Sequence, residues 1–457
     1  MIDIQLAGAG AGKTFGLARD ITNYILNCDA SKKIFALTYT NSATIKIQSE
    51  VKRSLGYIPP NLTIQTVHSF LLHEIIYPFS TYALNETYSK ISLQPIGNPQ
   101  FKNSFFSRLR NNNIIHAENV YHISRMILDK NCSRHTNRVK KAKIDFILSL
   151  ISTTIDKIYI DEVQDLDEDA LIAFDALGQH LKIYMIGDTK QALKWTDSLR
   201  DYISKSKDLE HINLLPINNS TLRVPTEILS ISNLFCYQGQ EQESLNSTTG
   251  ILNYIESSDD NYHSYLKTKT TTALVYIEQK QGVYLTRQEP KKISFPNEIK
   301  QKISQIKHNK NPELFEAALL LDLNDSVILL GVRQALNAFL RKYNIQLTAA
   351  EYAQLASCLD NDQSDVDNFI VVSSIDAAKG LDAEHCIFIL TRNTARYLSR
   401  EIPESSYYNK EWMRMYVALT RTKRELTLAI DHSLFLPEEI APLIEKIELL
   451  GFTKSTI

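Results

Sequence analysis

Ala7-Gly8-Ala9-Gly10-Ala11-Gly12-Lys13-Thr14 is the stretch on which the reading of this 457-residue chain turns. It follows a short apolar run, Ile2 to Leu6, with an acid and an amide interleaved, and precedes a helical pattern from Phe15 through Leu26. The order is strand, glycine-rich loop, helix. Small residues let successive backbone N–H groups turn inward on phosphates. The positive end of the following helix points at the same spot. The loop fits a Walker A cradle with Ala7 in the first small position. Ala7, Gly8, Ala9, Gly10, Ala11 and Gly12 then line the cradle, Lys13 reaches the β- and γ-phosphates, and the Thr14 hydroxyl ligates Mg²⁺. The bland alternative is a glycine-rich turn that binds nothing; Gly-Lys-Thr in a strand–helix setting weighs against it. The stretch points to a nucleoside triphosphate and leaves open what the triphosphate is used for.

Further along, Ile34 to Asn41 reads as a second strand whose loop presents Thr38, Tyr39, Thr40 and Asn41, with a helix from Ser42 to about Leu55. Open α/β sheets place ligands at such strand ends, although a tyrosine on a sheet rim is commonly packing. Leu62 to Phe70 reads as a third strand running into a helix and carries His68. From about Leu71 to Thr154 the pattern is mostly helical and includes the basic run Arg138-Val139-Lys140-Lys141-Ala142-Lys143. That run is read as a solvated helix face, with a phosphate-backbone contact as the other reading.

Lys157-Ile158-Tyr159-Ile160-Asp161-Glu162-Val163-Gln164-Asp165 is an apolar strand that ends in adjacent acids. Acids there commonly cap helices. In one chain with the first loop they read as a Walker B pair: Asp161 holds Mg²⁺, directly or through water, and Glu162 deprotonates the attacking water. Ile183 to Gln191 is again strand then polar loop, with Gln191 placed to sense a γ-phosphate. Trp195 comes soon after, either stacking on a base or anchoring the core. Later come Arg223, the block Ser374 to Asp382, and Tyr416 to Thr422 with Arg421. Beside a phosphate loop, Arg223 and Arg421 read as arginine fingers from a second domain.

The length suggests two to four structural units. Hydrophobic residues make up 44% and charged residues 22%, the balance of a soluble globular chain. No apolar run reaches a membrane span, so no membrane partner is expected. The start on a polar-flanked strand is read as the absence of a signal peptide. The five cysteines lack metal or redox spacing, which suggests reduced thiols and a cytoplasmic location. A net charge of −2 excludes a strongly basic nucleic-acid-coating protein but not a local basic groove.

The ordered blocks together resemble the UvrD/Rep/PcrA branch of superfamily 1 DNA helicases. Ala7–Thr14 is similar to that family's AGAGSGKT, Tyr39–Ala43 to TFTNKAA, Thr66–Phe70 to TxHSF, and Asp161–Asp165 to DExQD. Gly187, Asp188 and Gln191 resemble GDxxQSI, Arg223 the arginine of NYRS, Ser374–Asp382 THxAKGLE, and Tyr416–Thr422 YVxxTRA. Ordered co-occurrence is more specific than any one block. The resemblance implies two RecA-like α/β domains with parallel sheets, ATP and Mg²⁺ in the cleft between them, and single-stranded DNA, or DNA with single-stranded regions, across both tops. It makes Lys13, Thr14, Asp161, Glu162, Gln191, Arg223 and Arg421 the ATPase set. Gly380 and Asp382 fall in the block that touches the nucleotide sugar, with Asp382 one methylene shorter than the family's glutamate. Tyr39 matches a base-stacking aromatic, and Thr40, Asn41, His68 and Lys379 sit in blocks that face DNA or couple it to ATP.

The implied division is a first RecA-like domain from 1–72 and 155–213, a helical insertion at 73–154, and a second RecA-like domain from 214–457. The family's large second accessory subdomain is expected to shrink to a connection at 348–368, a stretch rich in Asp, Asn and Ser. The family's adenine-reading glutamine block has no room before Ile2, and Leu222 replaces its adenine-stacking tyrosine, so NTPs other than ATP are expected to serve. The third block reads Lys194-Trp195-Thr196, and the chain's end after Arg421 is taken to leave no fused nuclease. The implied activity is ATP-driven movement on single-stranded DNA, 3′ to 5′. The rival is a non-unwinding DNA-dependent ATPase that senses or regulates for a nuclease. Compact helicases of this kind partner an OLD-type nuclease in Gabija phage defence.

Overall fold

Runs such as Ile34-Phe35-Ala36-Leu37 and Ile158-Tyr159-Ile160 are apolar at every position and almost wholly buried. That pattern belongs to strands covered on both faces, as in parallel sheets flanked by helices. The computed structural model describes residues 1–455 apart from 29, 95, 97–98, 196, 287–294, 296, 305–318, 321, 324–325, 327–331, 361–368 and 403–408.

The first part of the chain gives β1 (Ile2–Leu6), β2 (Lys33–Thr38) and β3 (Leu62–Thr66), then a small parallel pair, β4 (Lys90–Ser92) and β5 (Ile114–His116), and then β6 (Ile155–Ile160), β7 (Lys182–Gly187) and β8 (Ile212–Leu214). A six-stranded parallel sheet runs β3-β2-β6-β7-β1-β8. Its register sets Leu6 beside Gly187, Thr38 beside Thr66 and Leu37 beside Ile160. The loops that leave β1, β2, β3, β6 and β7 therefore emerge side by side at one edge, where such sheets gather ligands. Between β3 and β6 the chain is mainly helical, over Val67–Leu84, Lys102–Asn111, Val120–Leu128 and Arg138–Thr154. The pair β4–β5 departs from the helical pattern read there. The basic run opens the last of these helices on its solvent side, while Ile144, Ile147, Leu148 and Ile151 face the core.

The second part begins with a short pair, β9 (Ser220–Thr221) and β10 (Glu243–Ser244). It continues as β11 (Ile251–Glu256), β12 (Leu274–Ile277), β13 (Tyr284–Thr286), β14 (Ile370–Ser374), β15 (Ala383–Ile389), β16 (Thr422–Ile430) and β17 (Thr453–Lys454). These seven make a second parallel sheet in the order β13-β14-β12-β15-β16-β11-β17. Two separate parallel sheets are consistent with the expected pair of RecA-like domains. The helix Lys410–Leu419 is buried from Met415 to Leu419 and feeds directly into Arg421 and β16.

The stretch expected as a bare connection carries the helix Ala349–Asp360, whose Leu355 joins a small apolar cluster with Phe295, Ile299, Leu336 and Phe339. The run of Asp and Asn that suggests a connection begins only at Asp360, and 361–368 lie outside the described residues. The described helices include none long and apolar enough to cross a membrane.

Candidate nucleotide and DNA-facing site

The loop after β1 turns twice through left-handed backbone, at Gly10 (φ 72°) and Gly12 (φ 73°), before the helix Lys13–Ile25. Gly10 is required on a second count. A Cβ there would lie 2.4 Å from Thr221 Oγ1 and 2.5 Å from the Arg223 Cβ, so the second part of the chain presses directly on the loop. The Lys13 ammonium donates to the carbonyls of Ala7 and Gly8, each at 3.1 Å. It rests on neutral oxygens, which an incoming phosphate outcompetes by charge. Thr14 Oγ1 donates to Asp161 Oδ2 at 2.9 Å.

Asp161 and Glu162 follow β6. Glu162 adopts a left-handed conformation (φ 55°), and its N–H donates to Asp161 Oδ1 at 2.9 Å. For a non-glycine residue that backbone costs about 1–3 kcal/mol and is characteristic of functional sites. Burial, with Glu162 alongside, pushes the Asp161 carboxyl up to about 7. Burial acts on Glu162 in the same direction, but Lys13, Lys379 and the Gln164 amide outweigh it and hold Glu162 below the ordinary range. Gln164 donates to the Glu162 carboxylate and accepts the Asp188 N–H at 2.9 Å, so the loops after β6 and β7 are tied together. Gln191 Nε2 donates to Asp188 Oδ2 at 2.8 Å.

The Thr14 hydroxyl and the Asp161 carboxylate are adjacent hard oxygens at a helix start, and they fit Mg²⁺. Among the described residues no group of three or more His, Cys, Asp or Glu forms a metal cage. Mg²⁺ does not need one, since it keeps waters and substrate phosphate oxygens around one or two protein ligands.

The opposite wall comes from the second part of the chain. The Leu222 N–H donates to the Gly10 carbonyl at 3.0 Å, and the Leu222 side chain is 65% exposed. Arg223 pairs with Asp382 at 3.0 Å, and Lys423 holds the other Asp382 oxygen at 2.7 Å. Arg421 is buried; its guanidinium donates to the carbonyls of Val417 (2.9 Å) and Leu381 (3.2 Å) and to Thr420 Oγ1 (3.0 Å). Burial, with Arg223 nearby, lowers Arg421 to about 10, which leaves it charged at neutral pH. Gly380 (φ 83°) turns the chain between Lys379 and Asp382.

The residues expected to face DNA gather at the same sheet edge. Lys194 Nζ sits 3.6 Å from the Tyr39 ring centroid, and Trp195 beside it is 41% exposed. His68 lies against Tyr121, with ring centroids 4.6 Å apart, and burial followed by the Lys194 charge lowers its pKa. Thr40 caps the helix Asn41–Leu55, accepting the Ala43 N–H at 3.2 Å, and Asn41 stands exposed at its first position. Lys379 crosses from the second part to the first: its Nζ donates to Asp165 Oδ1 at 2.6 Å and to the Gln191 carbonyl at 2.8 Å.

Residues 4–145 match the UvrD/REP helicase N-terminal domain family. Over those residues the chain is similar to ATP-hydrolysing helicases of the UvrD/REP type. Over 520 aligned positions the chain is 23% identical to the Gabija protein GajB of Bacillus cereus (strain VD045), covering 98% of this chain and 97% of that protein. Among solved structures, the arterivirus nonstructural protein 10 helicase matches 93% of this chain at 10% identity and a TM-score of 0.34, and the chain spans 59% of its length.

The structure adds residues that the motifs do not mark. Lys190 is buried and sits 3.3 Å from Asp188. Gln242 bonds the phosphate loop itself. Tyr121 reaches His68 from the helix Val120–Leu128. None of them stands out in the sequence: a lysine in a polar loop, a glutamine among polar residues and a tyrosine on an amphipathic helix have nothing local to set them apart.

Proposed function

We propose that the chain is a DNA-stimulated ATPase that moves along single-stranded DNA in the 3′ to 5′ direction. The observation that carries the reading is Lys379. One ammonium joins the acid that ends the Walker B block to the loop holding Gln191, beside Tyr39 and Lys194. A strand that stacks on Tyr39 and Trp195 and draws Lys379 towards its phosphates rearranges the same hydrogen bonds that orient Glu162 and Gln191. Stacking with backbone contacts gives a sequence-tolerant grip.

In this reading Lys13 leaves the Ala7 and Gly8 carbonyls for the β- and γ-phosphates. Thr14 and Asp161 would hold Mg²⁺, which would supply neutralisation of the phosphate oxygens when bound. Glu162 takes a proton from a water as that water attacks the γ-phosphorus. The bond to the β-phosphate oxygen breaks and ADP leaves. Gln191 orients the water, and Arg223 and Arg421 stabilise the charge on the transferring group. Turnover with and without single-stranded DNA, and strand displacement on substrates with 3′ or 5′ tails, test this. No stimulation by DNA rejects the reading, and displacement from a 5′ tail alone reverses the direction.

A second reading is favoured by the near-complete overlap with the Gabija protein. The chain would then serve as the DNA-sensing ATPase subunit of an OLD-type nuclease complex in phage defence and not unwind on its own. Displacement assays with and without the nuclease chain separate the two.

A further inference from the structure

Gln242 touches the phosphate loop from the second part of the chain, and its placement is tightly fixed. Asn233 grips its backbone twice: Nδ2 donates to the Gln242 carbonyl at 2.9 Å, and Oδ1 accepts the Gln242 N–H at 2.9 Å. The side chain so held is 4% exposed. Its Nε2 donates to the Ala9 carbonyl at 3.0 Å, and its Oε1 accepts the Tyr416 hydroxyl at 2.5 Å. The Tyr416 oxygen in turn accepts the Ala9 N–H at 3.0 Å. A closed ring of three hydrogen bonds thus engages both backbone groups of one loop residue. Gly8 leaves the space for it, since a Cβ there would lie 2.2 Å from Gln242 Nε2.

Tyr416 belongs to the buried helix that runs straight into Thr420 and Arg421. Its hydroxyl has one proton and two acceptors in range, Gln242 Oε1 and Asp188 Oδ2 at 3.3 Å. Without the glutamine the proton turns to Asp188, and the helix is drawn towards the loop after β7 and away from Ala9. We infer that Gln242 is a positioning residue of the ATPase site, whose amide fixes Tyr416 on Ala9 and through that helix sets Arg421 against the phosphate loop. The inference rests on the ATPase reading above. The chemistry requires a primary amide: one group must donate to a carbonyl and accept from a hydroxyl, which a carboxylate or a thioether cannot do.

Triphosphate affinity comes from the loop N–H groups, Lys13 and Thr14, which Gln242 leaves in place. Arg421 acts on charge that develops in the transition state. Losing an interaction of that kind lowers kcat and kcat/KM together and leaves KM alone. Gln242→Met keeps the volume over Gly8 and removes both hydrogen bonds. We expect kcat for DNA-stimulated ATP hydrolysis to fall on the order of 10²-fold, as misplacement of a reacting group by about 1 Å does, with KM nearly unchanged. Gln242→Glu, which cannot donate to Ala9, and Tyr416→Phe should show the same split. The double variant Gln242→Met/Tyr416→Phe should be no worse than the poorer single one, because both cut one ring. Wild-type kcat in the folded Met and Glu variants, a rise in KM at constant kcat, or additive losses in the double variant each overturn the inference. Lys13→Ala, run alongside, isolates the underlying reading: if it hydrolyses ATP like the parent, the ATPase assignment fails and the role of Gln242 falls with it.

Discussion

The two walls of the cleft are built differently. On the first, Lys13, Thr14, Asp161 and Glu162 are bonded to one another and to their own loops, within one sheet edge. On the second, the charged groups are engaged with partners that are not phosphates: Arg223 with Asp382, Arg421 with carbonyls. The first wall is ready for substrate once Lys13 moves off neutral oxygens. The second must exchange an ion pair before Arg223 can reach a phosphate. Burial would raise the Asp382 carboxyl, but Lys423 and Arg223 outweigh it and hold it below the usual range, so that exchange is resisted by charge. On the proposed reading, that difference would give substrate binding to the first wall and turnover to the closing of the second.

The sharpest way to break that division is at the arginines. Arg421→Ala and Arg223→Ala should each lower kcat by roughly 10³-fold or more, the typical value of an arginine finger, with ATP affinity close to the parent's. Lys13→Ala should lose ATP binding as well as hydrolysis. Equilibrium binding of a labelled ATP analogue beside steady-state turnover checks this. Arginine variants that lose binding as severely as Lys13→Ala would merge the two walls into one.

Next in size is Glu162→Gln. It removes a base from the first wall while the Gln164 and Asp161 contacts that fix the turn persist in part. ATP should still bind, and turnover should fall about 10²- to 10⁴-fold, the range of general base catalysis. A rate equal to the parent's removes Glu162 from the mechanism.

Legibility in the sequence tracks the same division. The first wall is written in short runs, because a strand, a glycine turn and a helix start fix Lys13 and Thr14 relative to one another within a few residues. Asp161 can be read for the same reason. The second wall is assembled over long separations. Arg223 and Arg421 are legible only by association with the phosphate loop and through resemblance, and their engagement with Asp382 and with the Val417 and Leu381 carbonyls is not legible at all. Gln242 is the clearest case. Its meaning comes from Asn233, Ala9 and Tyr416, and no spacing in the sequence joins those four. The helix at Ala349–Asp360 is hidden by the polar residues that come after it. Its own pattern, with Tyr352, Leu355 and Ala356 on one side, is amphipathic.

A smaller effect concerns the base of the nucleotide. Leu222 stands exposed on the second wall with its N–H on the Gly10 carbonyl. An apolar side chain offers a base a face and reads none of its edge. Apolar contacts discriminate by only about 1–3 kcal/mol, so GTP should support DNA-stimulated hydrolysis within roughly tenfold of ATP, about 1.4 kcal/mol. Parallel turnover of the four NTPs decides it, and a thousandfold preference for ATP would show that edge-reading groups exist elsewhere on this wall.

The smallest effect tests how the second wall's helix is held. Glu411 lies in its first turn, where Arg414 Nη1 donates to Oε1 at 2.6 Å. The other groups that face it are Glu278 at the end of β12 and, through Arg414, Asp376. Burial raises the Glu411 pKa; Arg414 opposes the rise and Glu278 adds to it. A carboxyl whose folded pKa lies above its unfolded value gives stability that is complete below the unfolded value and is lost as pH climbs through the folded one. Above that window the helix carries an unfavourable charge. Glu411→Gln keeps the acceptor for Arg414 and removes the titration. Its melting temperature relative to the parent should therefore rise between pH 4 and pH 8, by on the order of a few degrees at most, since about 1 kcal/mol shifts Tm by 2–4 °C in a domain of this size. Calorimetry of both proteins across that range checks the sign. A difference that stays flat with pH would mean that Glu411 is ionised as easily in the folded chain as in the unfolded one, and that the helix carrying Tyr416 to the phosphate loop is not under electrostatic load at its start.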